Sequence, residues 1–294
     1  MRNRSQGWKF AKIGGHRLEE QLKKKISVDI NFSNELHKLV FGLPYLGLAE
    51  SRGGGKNAKK VPSVMGHLTQ PKTDLSIIWR NGDSASISLK KSLGGQVWLV
   101  SLKHFLAGLD ANYGVVPEKS VLETLGIFIG APGYSEQIDF KKIRLKGPKH
   151  RSGKPLEVHQ GRLCGNTIIE NYPGRWEEMM RWMNSNIKYI TELSFSRGLC
   201  KFPEDHAQYI WYYDLNQEKS RGVNDLYSIR EIVQQIGTMK NPCILGDKNG
   251  GSTIQMPFGF LQMHSPGAIN EMQFHHNYEK ISQLTSRNIQ ANEQ

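Results

Sequence analysis

The chain has 294 residues, enough to bury a substantial core as one large or two ordinary domains. Its 39 Lys+Arg outnumber 27 Asp+Glu for a formal charge of +12, which favours a polyanionic partner. Three widely spaced cysteines, Cys164, Cys200 and Cys243, suggest neither a disulfide framework nor a CxxC metal site.

The basic segment at residues 1–25 lacks an apolar run behind its charges, and no later run approaches the roughly 20 apolar residues that span a bilayer, so a cytoplasmic protein without a membrane partner is expected. Leu18, Leu22 and Ile26 recur every four residues and predict a helix from about His16, with Lys23, Lys24 and Lys25 turned to solvent. A second helix is expected from Ser33, with Leu36, Leu39 and Val40 as its stripe. Residues 51–60, SRGGGKNAKK, read as a flexible basic loop. Leu75–Ile78 and Ala85–Leu89 flank Asn81-Gly82-Asp83 and predict a hairpin. Val97, Val100 and Phe105 stand near helical spacing and suggest a helix over 96–106, and another is expected from Pro117 through Val121 and Leu125.

Near Tyr134 the composition shifts to a basic stretch at 141–155, a linker or binding arm, which suggests a catalytic core at 1–133 and a recognition or dimerisation portion at 134–294. Beyond it, Trp176, Met179, Met180, Met183 and Ile187 predict an amphipathic helix opened by Pro173. Tyr209–Leu215 reads as a buried strand, Asn224–Ile236 as a capped helix, and 254–263 and 272–275 as strands. The fold class expected is α/β with a mixed sheet, followed by a C-terminal α+β portion.

Strand geometry puts alternate residues on one face, so Ser88 and Lys90 project together from the second hairpin strand. Hard divalent cations prefer carboxylate oxygens, and hydrolysing a phosphodiester needs activated water and neutralised phosphate charge. The run Pro71-Lys72-Thr73-Asp74, strand, turn and Ser86-Ile87-Ser88-Leu89-Lys90-Lys91-Ser92 resembles the PD-(D/E)XK nuclease core of restriction endonucleases and related phage enzymes. The resemblance covers residues 10–110 and implies a restriction-endonuclease-like core in which Asp74 binds Mg2+, with Mn2+ as a substitute, and Lys90 positions or activates the attacking water.

The acidic ligand position of that pattern holds Ser88 here. The resemblance then points to a glutamate of the N-terminal helix, Glu19 with Glu20 as fallback, as a second metal ligand; Gln96 is a weaker candidate for orienting phosphate or water. A site-specific endonuclease acting on double-stranded DNA is implied, a type II restriction enzyme or a phage or homing-type cutter of a bacterial or phage-infected cell, working as a homodimer. The alternative is a DNA-binding protein that keeps the fold without the chemistry, as the serine at position 88 allows. No P-loop or GxGxxG sequence suggests a nucleotide cofactor. Candidate DNA contacts are Lys56, Lys59, Lys60, Lys91, Lys149, Arg151 and the alternating polar residues Gln262, His264, Gln273 and His275.

Overall fold

A computed structural model describes residues 17–45, 47–52, 59–213, 226–264 and 271–291. They form a mixed α/β protein of two compact units, one of residues 1–93 and 195–232, the other of 94–194 and 233–294. The division is thus not a single cut near residue 134: the chain leaves the first unit after the hairpin and returns to it a hundred residues later. Lys56, within the basic loop, and Asn224 lie outside the described residues.

In the first unit, helix α1 (17–28) buries Leu18, Leu22 and Ile26, as its four-residue spacing predicts. Helix α2 (Ile30–Phe41) begins three residues ahead of the expected start, because the Asp29 carboxylate caps it by accepting from Phe32 N at 3.0 Å. That earlier start turns Phe32, Ser33, Leu36 and His37 inward, whereas Leu39, expected in the stripe, is 40% exposed. Strands β1 (Ala49–Arg52), β4 (Leu75–Trp79), β5 (Ser84–Lys90), β7 (Tyr209–Tyr212) and β8 (Leu226–Ser228) form a mixed sheet in the order β1-β4-β5-β7-β8. A small pair, β2 (Val61–Pro62) and β3 (Leu68–Thr69), stands apart from it.

The β4–β5 hairpin is antiparallel, with Leu75 opposite Ile87 and Ile77 opposite Ala85. Its turn uses Gly82 at φ 94°, a backbone conformation that a side chain would strain. Strand β7 pairs parallel to β5, which makes β5 an interior strand. Leu75, Ile77, Trp79, Ala85, Ile87 and Trp211 pack against Leu18, Leu22, Ile26, Phe32 and Leu36. The aromatic run Trp211-Tyr212 is therefore core.

In the second unit, residues 94–100 are a strand, β6 (Gly94–Val100), and not the start of a helix. They pair with β12 (Glu271–Asn277), and this distant partner outweighs the local spacing of Val97, Val100 and Phe105. Helix α3 (Leu102–Tyr113) follows, capped by Ser101, whose hydroxyl accepts from His104 N at 3.3 Å. With β9 (Ile244–Leu245), β10 (Thr253–Met256) and β11 (Gly259–His264) the sheet runs β6-β12-β11-β10-β9, antiparallel throughout.

Helix α4 (Lys119–Ile129) packs on α7 (Arg175–Ser185), with Phe128 and Trp176 edge to face at 5.4 Å. The helix expected to run through Ile187 breaks at Asn186, and Ile187 begins α8 (Ile187–Glu192). Helices α5 (Leu156–Gln160) and α6 (Gly165–Asn171) precede α7; α9 (Ile229–Gly237) starts at Ile229 after β8, and α10 (Tyr278–Ala291) closes the described chain. Among the described residues no helix is long and apolar enough to cross a membrane.

Ile87 has no exposed surface, so Ile87→Ala should cost about 2–5 kcal/mol of unfolding free energy in a urea titration. Asp29→Ala, which removes only a cap, should cost about 1 kcal/mol.

Candidate active site

Asp74 immediately precedes β4, and its N–H donates to Ile87 O at 2.9 Å, the first rung of the hairpin. The carboxylate closes the next rung itself: Oδ2 accepts from Leu89 N at 2.8 Å and from Ser88 Oγ at 3.1 Å. Ser88 Oγ in turn accepts from Lys90 Nζ at 2.8 Å, and the same ammonium donates to Leu89 O at 3.3 Å. A relay runs from Lys90 through the Ser88 hydroxyl to Asp74, so the serine, 6% exposed, carries the contact between the two charges.

Burial pulls the Lys90 ammonium below its ordinary pKa, while the Asp74 and Glu19 carboxylates act in the opposite direction. Glu19 is half-buried on α1 and Glu20 exposed, as their positions relative to the Leu18–Leu22 stripe imply. Glu19 is thus the helix carboxylate whose charge is felt at Lys90.

Lys72 was not among the candidates the sequence offered. Its side chain retains some accessible surface, yet its ammonium is enclosed, and its pKa falls to about 7 through burial and then the neighbouring Lys90 charge, with Cys200 and Asp74 opposing. Its backbone N–H donates to Asp205 O at 3.2 Å. Its stem lies over Gly198, where an added Cβ would stand 2.8 Å from Lys72 Cε. Gly198 also holds φ at 56°, so both the close approach and the backbone call for glycine. The signal for Lys72 was its place two residues before Asp74 in the run Pro71-Lys72-Thr73-Asp74.

Gln96 belongs to the second unit, where a β-bulge between Phe274 and His275 sets it opposite His275. Gln273 Nε2 donates to Gln96 Oε1 at 2.9 Å, and Gln262 Nε2 donates to Gln273 Oε1 at 2.9 Å. Gln262 Nε2 also lies 3.0 Å from His275 Nε2, and the His275 ring stacks on Phe260 with centroids 4.3 Å apart. Gln96 is therefore bound into an amide ladder with two of the residues proposed to contact DNA. His264 continues β11 in backbone register with Glu271. Lys59, Lys60, Lys91, Lys149 and Arg151 are all exposed.

Among the described residues no three His, Cys, Asp or Glu side chains converge as a metal cage. Asp74 with Glu19 offers a sparse oxygen set, which suits a cation that keeps several waters and needs one or two carboxylates, as Mg2+ does.

No known family pattern matches the chain, and no curated protein matches it. Among solved structures, the restriction endonuclease MspI in complex with its cognate DNA superposes with a TM-score of 0.44 at 12% identity, covering 87% of this chain and 83% of that one.

The lowered Lys72 pKa links stability to pH. Between about 7 and its ordinary value of 10.5 the unfolded chain holds a proton on Lys72 that the folded chain has released, so this residue's contribution to stability increases as pH rises through that window. In metal-free buffer, Lys72→Met should flatten that rise: the wild-type melting temperature minus that of the variant should increase from pH 7 to pH 10.

Proposed function

We propose that the chain is a metal-dependent endonuclease that hydrolyses phosphodiester bonds of duplex DNA, acting site-specifically. The observation that carries the reading is the hydrogen-bonded relay of Asp74, Ser88 and Lys90 on adjacent strands, with its lysine ammonium enclosed beside a carboxylate. Hydrolysis of a phosphodiester asks for a carboxylate that holds a divalent cation and a cation that steadies water or phosphate, and this cluster supplies both kinds of group within three hydrogen bonds.

Asp74 and Glu19 would hold Mg2+, or Mn2+ in its place; when bound, such an ion supplies Lewis acidity and lowers the pKa of its water. Asp74 Oδ2 is committed to Leu89 N and Ser88 Oγ, which fixes the carboxylate plane and leaves its other oxygen for the ion. Lys90 orients the attacking water or a phosphate oxygen through its ammonium, and Ser88 holds that ammonium in place. Because its pKa is lowered, Lys90 gives up a proton more readily than an exposed lysine, which suits a group that handles the proton of the attacking water.

Cutting both strands with one site per chain calls for two copies, so a homodimer acting on DNA in the cytoplasm completes the reading. The serine at the second acidic position favours one other reading, a DNA-binding protein that does not cut.

Incubating a large, diverse DNA with the purified chain in Mg2+, Mn2+ or EDTA separates the two. Metal-dependent cleavage is expected, with Asp74→Ala and Lys90→Ala each lowering the rate by about 10²–10⁴-fold. Ser88→Ala, which takes the relay hydroxyl but neither charge, should lower it by roughly tenfold. Wild type and Lys90→Ala that are equally inert under every metal would refute the catalytic reading and leave the binding one.

A further inference from the structure

The basic stretch at 141–155 is neither a linker nor uniformly charged. Its stem is fastened to α6: Asn171 Oδ1 accepts from Arg144 N at 2.9 Å, and Thr167 Oγ1 accepts from Lys146 N at 2.8 Å. Glu157, 1% exposed, clamps the next residue from below, with Oε2 accepting from Gly147 N at 2.9 Å while Oε1 accepts from Cys164 N at 2.9 Å. A Cβ on Gly147 would stand 2.7 Å from Glu157 Oε2, so the clamp requires this glycine.

Above the clamp the chain closes a tight turn through a β-bridge between Lys149 and Pro155, with His150 N donating to Lys154 O at 2.8 Å and Leu156 N to Pro148 O at 2.8 Å. The His150 ring stacks flat on His159 at 3.9 Å between centroids and pins the turn to α5.

The charges divide along the same line. In the stem, Lys142 pairs with Asp139 at 3.1 Å, and Arg144 and Lys146 pair with Glu170 at 3.0 and 3.5 Å. On the turn, Lys149, Arg151 and Lys154 are all exposed, and among the described residues no carboxylate pairs with them. A rigid turn that carries three uncompensated cations is strained by their mutual repulsion when free and is relieved by a row of anions. Its backbone is ordered in advance, so docking costs little conformational entropy.

We propose that the turn at 148–155 is where this unit grips the phosphate backbone of duplex DNA, through Lys149, Arg151 and Lys154. The assignment rests on the endonuclease reading for the identity of the polyanion. Because phosphates carry no base identity, the turn contributes affinity and register and not sequence choice.

The test is binding of the full chain, in EDTA, to two unrelated duplexes of about 30 base pairs across a salt series by fluorescence anisotropy. The variants are K149A/R151A/K154A and a charge-matched control of exposed residues elsewhere, K103A/R181A/K240A. The turn triple should reduce the slope of log affinity against log salt by about 2–3, near 0.9 for each phosphate no longer neutralised, and weaken binding about tenfold or more near 0.1 M salt on both duplexes. The control should change affinity less than about threefold, and both variants should melt close to wild type because every substituted side chain is exposed.

A turn triple indistinguishable from the control overturns the proposal, as does a wild type that ignores duplex DNA while binding duplex RNA or anionic vesicles. Failure of the endonuclease reading looks different: wild type binds with the turn-dependent salt slope, yet no metal produces cleavage.

Discussion

Asp74 Oδ2 takes the N–H of Leu89 and the hydroxyl of Ser88, and most of the candidate site is a consequence of that double acceptance. The hairpin's ladder reaches Asp74 through its own N–H, donated to Ile87 O, and the carboxylate then continues the ladder where the backbone of its strand departs. A side chain that substitutes for backbone is held as firmly as the sheet. Ser88 and Lys90, on the same face of β5, inherit that rigidity, and a site held within a fraction of an ångström is what phosphoryl chemistry demands.

The strand that bears Ser88 and Lys90 is interior because β7 returns from more than a hundred residues away to pair beside it, with Ser88 opposite Ile210 and Lys90 opposite Tyr212. The same returning segment brings Gly198, Cys200 and Asp205 against Lys72. One long-range crossover thus builds the sheet's centre and lies against Lys72, so the electrostatics of that lysine are a property of topology and not of local sequence.

How much of this the sequence carried follows the range of the interactions. Leu18, Leu22 and Ile26, the β4–β5 hairpin with its Asn81-Gly82-Asp83 turn, and the shared face of Ser88 and Lys90 are local, and each was readable from spacing alone. Residues 94–100 were not, because Val97, Val100 and Phe105 happen to fall at helical spacing while the strand owes its existence to β12. The two units were hidden for the same reason: contiguous composition cannot show that 195–232 folds back onto the first unit. Lys72 carried no signal of its own burial, since what encloses it lies at 198–205 in the chain. The relay geometry around Asp74 was foreshadowed by the alternation of β5; the amide ladder that holds Gln96 was not, because it needs a bulge that no local pattern announces.

The serine at position 88 changes the charge balance of the cluster in a definite direction. A carboxylate there would add a second negative charge within hydrogen-bond reach of Lys90 and hold its ammonium protonated. The hydroxyl accepts the same hydrogen bond without that charge, so desolvation prevails and the Lys90 pKa moves down. Lys72, enclosed nearby, moves down as well, and the Lys90 charge adds to the cost of its own. A cluster with few carboxylates and two lysines is closer to neutral than one built on paired acids, and it repels an incoming phosphodiester less. Under the endonuclease reading proposed above, a serine in place of an acid would trade strength of cation binding for easier approach of an anionic substrate and a more readily deprotonated lysine, and Glu19, whose charge acts on Lys90 from a separate helix, would redress the first of these.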